Sequence, residues 1–247
     1  MLDATLRFGY ITNQSVIKPV IQAMSSLPVP EDTPIRRERR KQARPGELLA
    51  AALDLFVEKG FAATRAEEVA QRAGVSKGTL FLYFSSKEEL FKAVVQENIA
   101  SAIQAGFEEL DHFVGTSAEL VHYMMLQWWT RYGATKASGI TKLMMSEASN
   151  FPELALFYQQ HVIVPGNALI CKVLQRGIDS GEFRAVNIPY ASFSILAPMM
   201  FLIMMKHSLG CSMPSDRSID PMLYISTQAD IVVQGLLRRD APFTPAT

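Results

Sequence analysis

Two residues, Gly74 and Val75, separate two helix signals, and that corner restricts the fold more than any other part of the chain. Upstream, Thr64 opens a T-x-x-E capping box with Glu67, and Val69, Ala70 and Ala73 make a narrow apolar stripe that Gly74 ends. Downstream, Ser76 is the N-cap of a helix running to Tyr83 or Phe84, and Ser86 with Glu89 starts another. Helices joined by so short a link must cross at a large angle, which is helix-turn-helix geometry. Small Ala70 lets them approach, Gly74 suits positive φ, and Leu80 lies on the inward side. An ordinary corner of an all-α protein fits the same spacing.

Composition narrows the alternatives. With 247 residues, 49% of them hydrophobic, the chain can bury a sizeable core. Two thiols, Cys171 and Cys211, make no secreted disulfide framework, and MLDATLRFGYITNQ has no secretory pattern, so a cytoplasmic protein is expected. The uncharged run from Tyr190 to Met205 is 16 residues, short of the ~20 that span a bilayer. It reads as a buried helix, with no membrane partner.

Residues 1–44 read as a flexible arm, with Met24 a second candidate start. The arm ends in IRRERRKQAR, either a solvated tail or a segment laid along DNA phosphates. Pro45 and Gly60 then bracket a first helix whose apolar face is Leu49, Ala52, Leu53, Phe56 and Val57. From Arg36 to Val95 there are 12 Lys/Arg against 8 Asp/Glu, and from Gln96 onward 10 against 13. A basic front on a mildly acidic body suits a head that meets a polyanion.

The outer face of the third helix points the same way. Ser76, Lys77, Gly78, Thr79 and Tyr83 offer hydroxyls, an ammonium and N-terminal amides to phosphate oxygens or base edges. Gly78 lets the backbone come close. Lys87, a cation in the first turn of the next helix, opposes that helix's dipole and is better placed beside a phosphate.

The stretch FVEKGFAATRAEEVAQRAGVSKGTLFLYFSSKEELFKAVV resembles the DNA-binding domain of the tetracycline-repressor (TetR) family of bacterial transcription regulators, along about 50 residues from Pro45 to Val95. Phe81 stands where that family usually has tyrosine, and Tyr83 can compensate. The resemblance implies a DNA-facing set of Thr64, Ser76, Lys77, Gly78, Thr79, Tyr83 and Lys87, with Val69, Leu80 and Phe84 in the core. It also implies an all-α fold with a DNA-binding domain at 45–92, a larger helical ligand-binding and dimerisation domain at 93–240, and a tail at 241–247.

Beyond the head, helical signals continue without strand alternation. The fourth helix runs past Ile99, Ile103 and Phe107. Thr116 and Glu119 form another capping box, Pro165 and Gly166 should kink a long helix that Gly181 ends, and Asp220-Pro221 opens the last. Ten of the 12 methionines lie from Met124 onward, suited to irregular apolar shapes or to gap-filling. Met125, Trp128, Trp129, Tyr132, Phe157 and His161, with Tyr158, could line a pocket for a small apolar or aromatic effector, or simply form core. The four histidines lack metal-ligand spacing, and catalytic motifs are absent, so neither cofactor nor enzyme is expected. The sum is a homodimeric, ligand-responsive regulator on a palindromic double-stranded operator, acting as a repressor by resemblance. A dimeric ligand-binding protein without specific DNA binding is the alternative.

Overall fold

A computed structural model gives the structure of the chain and describes residues 34–210 and 219–238, with side chains from residue 45 onward. The chain divides into two compact units, Met1–Arg44 and Pro45–Thr247. Residues 1–33, most of the expected arm, and the expected tail at 241–247 lie outside the described residues.

Helix α1, Pro34–Ala63, begins ahead of Pro45, which therefore sits inside it and not at its start. The arginine-rich run before Pro45, IRRERRKQAR, consists largely of good helix formers, so residues 34–44 are helical backbone where an arm was expected. Gly60 breaks the helix as expected, at φ 85° and ψ 169°, a region essentially closed to side-chain-bearing residues. Then follow α2 (Ala66–Arg72), α3 (Lys77–Tyr83) and α4 (Lys87–Val95), with Gly74 at φ 67° in the corner. Ser76 and Ser86 cap α3 and α4 as expected, accepting from the amides of Thr79 and Glu89, each at 3.1 Å.

A wide i→i+5 turn, Gln96–Ala100, carries α4 into α5 (Ser101–His112). After the Thr116–Glu119 box come α6 (Ser117–Trp128), a second wide turn Trp129–Gly133, and α7 (Ser138–Glu147). Helix α8 (Pro152–Tyr158) joins α9 (Val164–Asp179) through a third, Gln159–Ile163. That turn lies just before Pro165, whose ring crowds the preceding carbonyls, so the expected irregularity is a widened turn. Helix α10 (Ile188–Met204) continues through Met205–Leu209, and α11 (Pro221–Leu236) starts on Asp220, whose Oδ1 accepts from Met222 and Leu223 amides at 2.9 and 3.2 Å. Phe183 and Leu237 form a single antiparallel bridge. Among the described residues the architecture is helical.

Two buried clusters hold it together. One gathers Leu48, Ala52, Phe56, Phe61, Val69, Leu80, Leu90 and Phe91 from α1–α4 with Tyr132, Ile140, Leu154 and Ile203 from later helices. The Phe56, Phe61 and Phe91 rings meet with centroids 5.3–5.5 Å apart, and Phe151 stands on Phe61 at 4.8 Å. Packing therefore continues across residue 92. The other cluster joins α6, α9, α10 and α11 through Val121, Met125, Leu174, Ile195 and Ala229.

The helical run Ile188–Leu209, 22 residues, is long and apolar enough to cross a membrane, longer than its uncharged stretch suggests. Its inner side, Ile195, Met199, Leu202 and Ile203, is core, whereas Tyr190, Phe193 and Phe201 are exposed.

Candidate nucleic-acid interface

Helix α3 is fixed from inside by Leu80, which is fully buried, and from its start by Ser76. Its outer residues are left to solvent. Ser76 Oγ also lies 2.9 Å from Thr79 Oγ1, so the two hydroxyls are pre-aligned at the first turn. The amides of Lys77 and Gly78 belong to that same turn, where helix geometry supplies no carbonyl partner. Lys77 reaches across the corner to Glu67 of α2, and its ammonium lies 5.8 Å from the Phe81 ring. The hydrogen bond from Lys77, first among several influences, holds the Glu67 carboxyl below its ordinary value. Both side chains are more than half exposed, so a phosphate can draw the ammonium away at little cost.

Gly78 has no internal purpose. A Cβ there would meet only Ser76 Oγ, at an ordinary 3.8 Å, and the residue's backbone is plain α-helix. A helical glycine with room for alanine gives up as much as ~1 kcal/mol of stability, which close approach of an external surface explains.

Two residues of the expected DNA-facing set are turned inward instead. Thr64 is 1% exposed, and its hydroxyl donates to the Gly60 carbonyl at 2.7 Å, with Leu55 O at 3.2 Å. The helix start shifts by one residue: Arg65 is the N-cap of α2, and its amide donates to Glu68 Oε2 at 3.1 Å. Lys87 points its ammonium at the carbonyls of Phe61, Ala62 and Thr64, at 2.8, 3.4 and 3.1 Å, and lies 4.3 Å from the Phe61 ring centroid. It closes the end of α1, where a cation is favoured. The contacts account for its position without a phosphate.

Sequence reasoning missed two exposed residues. Arg65 presents a guanidinium at the start of α2, a cation the T-R pair could have flagged. Leu82 is 84% exposed on α3, and flanking Phe81 and Tyr83 are 40% and 37% exposed.

The six tentative effector residues spread over both clusters and the surface. Met125 and Trp129 are buried in the second cluster and Tyr132 in the first, while Trp128 packs against both, with its ring centroid 5.8 Å from Tyr132. Burial, the largest influence, pushes the Tyr132 hydroxyl well above its ordinary value, and Thr141 Oγ1, 2.5 Å away, links it to Tyr158 at 2.7 Å. Phe157 is half-buried against the first cluster, lines an open groove with Phe81, Leu82 and Lys92, and stacks on exposed His161 at 4.2 Å. Burial alone could not tell these surroundings apart.

Residues 48–94 match the family model of bacterial regulatory proteins, tetR family. Over this stretch the chain is similar to the TetR family. The chain is 44% identical over 63 residues to the transcriptional activator FasR of Mycolicibacterium smegmatis, a match covering 26% of this chain and 29% of FasR. It is 47% identical over 62 residues to the regulator RutR of Escherichia coli K12, covering 25% of this chain and 29% of RutR. The matched stretch thus spans less than a third of these curated relatives. A TetR-like fold extends further: the transcriptional regulator FadR of Bacillus subtilis, solved with stearoyl-CoA, superposes over 77% of this chain and 98% of its own, with a TM-score of 0.66 at 20% identity.

Proposed function

We propose that the chain is a ligand-responsive transcriptional regulator, and not an enzyme, that binds a palindromic operator as a homodimer and is released by a small molecule. The observation that carries this reading is the outer surface of α3, where paired hydroxyls, unpartnered first-turn amides and an otherwise pointless Gly78 coincide. In the proposed complex this surface enters the major groove, with Lys77 and Arg65 on phosphates. Residues 45–92 are the head and 93–240 the regulatory body, in a cytoplasmic protein.

Pairing through α10 and α11 is supported by their uncovered apolar side chains, Tyr190, Phe193, Phe201, Leu223 and Ile231. The Met- and Trp-rich cluster of α6 and its neighbours supports an apolar effector, and the likeness to FadR with its stearoyl-CoA favours an acyl-bearing one. Such a ligand releases DNA only by preferring one of two arrangements of head and body, and the core shared between them couples the two.

Fluorescence anisotropy with labelled duplexes tests the proposal. A strong preference for one sequence together with a steep fall in affinity with salt is expected. Weak binding without sequence preference would favour a ligand-binding dimer that does not read DNA.

A further inference from the structure

We propose that Leu82 reads sequence, packing its isobutyl group on the 5-methyl of a thymine in the major groove. The inference rests on the DNA-binding reading above and adds a base and a contact to it.

The geometry of α3 supplies the argument. Successive residues turn by ~100°, so with Leu80 directed inward, Gly78 and Leu82 each fall within ~20° of the opposite direction. They form the outermost line of the helix, one turn apart. Leu80 is fully buried and Leu82 is 84% exposed, as that placement requires. The glycine lets the helix backbone approach a surface, and the leucine one turn later is the group that then enters it.

Exposure alone would mean little. Val114 is more exposed, at 96%, but it lies in the link between α5 and α6 and serves no shared surface. Isolated apolar residues are common on protein surfaces. Leu82 differs in its company: Gly78 on the same line, Phe81 and Tyr83 half-exposed beside it, and the Ser76–Thr79 hydroxyl pair at the end of the same helix. A leucine has no hydrogen-bonding group, so it cannot read the donors and acceptors of G, C or A. The major groove offers one methyl group, that of thymine. Leu82 also lines the groove of Phe84, Lys92 and Phe157, which gives the rival occupant, an apolar protein partner.

The test uses the full chain. A random duplex library is enriched by binding, and each thymine of the winning duplex is replaced in turn by uracil, which lacks only the methyl. For the unaltered protein, one thymine in each half-site should be sensitive, its replacement weakening binding about four-fold per half-site, as loss of one buried methyl implies. Leu82→Ala should weaken binding to the thymine duplex by a similar factor and then show no further loss with uracil. Its melting temperature should not change, since so exposed a side chain holds nothing in place.

An insensitive uracil scan overturns the inference, as does a uracil effect that persists in Leu82→Ala. Undiminished DNA binding by Leu82→Ala also overturns it, and points to the protein-partner surface. If the chain enriches no duplex, this inference falls together with the DNA-binding reading. Enrichment without a methyl effect removes this inference alone.

Discussion

Lys77 and Lys87 are ten positions apart in the chain and similar in kind, yet their surroundings give them opposite roles. Lys87 holds three carbonyls at the end of α1. Lys87→Ala should therefore lower stability by about 1.5–3 kcal/mol, the range for hydrogen bonds to a charged group, and leave the salt dependence of DNA binding unchanged. Lys77→Ala gives up only an exposed ion pair, of little consequence for stability, and should flatten the salt slope by ~1. Urea melts and salt titrations of the two variants separate these outcomes. The Ser76 cap and Gly78 were legible because both depend on neighbours within three residues. Thr64 and Lys87 were not: beside the Gly60 carbonyl four residues back, Thr64 meets the Leu55 carbonyl nine back, and the carbonyls that Lys87 meets lie 23 to 26 residues away, brought close only by the fold.

Caps and breakers also made most elements legible: Ser86, Thr116 and Asp220 all begin helices. Periodicity shows which faces are apolar but not which cluster each joins. The contact between α6 and α11 was hidden altogether. There His122 Nδ1 faces Ala118 O at 3.0 Å and Nε2 faces Asp230 Oδ1 at 2.7 Å. Both partners are acceptors, so only the doubly protonated ring satisfies both. Desolvation, the largest single influence, pulls the His122 pKa down; the bonds to Ala118 and Asp230 outweigh it and leave the pKa raised above 6.5. A raised folded-state value means that the stabilisation is complete below the unfolded value and is lost as pH rises through the folded one. Thermal melts between about pH 5 and 9 should show that loss, and Asp230→Asn should reduce it and bring the His122 titration, followed by NMR, to lower pH.

Across the whole molecule, the continuous core from α1 to α8 makes the head an extension of the body. Phe151 on Phe61 and Lys136 paired with Asp54 at 2.5 Å tie later helices directly to α1. A rearrangement of the body therefore has a mechanical route to α3, and occupancy of α3 should in turn bias the body. All of this rests on the proposed docking of DNA on α3. Amide hydrogen exchange of the full chain, with and without its preferred duplex, measures that directly. Protection should appear in peptides covering Ser76–Tyr83 and the start of α2 at Arg65; unchanged exchange there, with protection elsewhere or nowhere, would contradict the account.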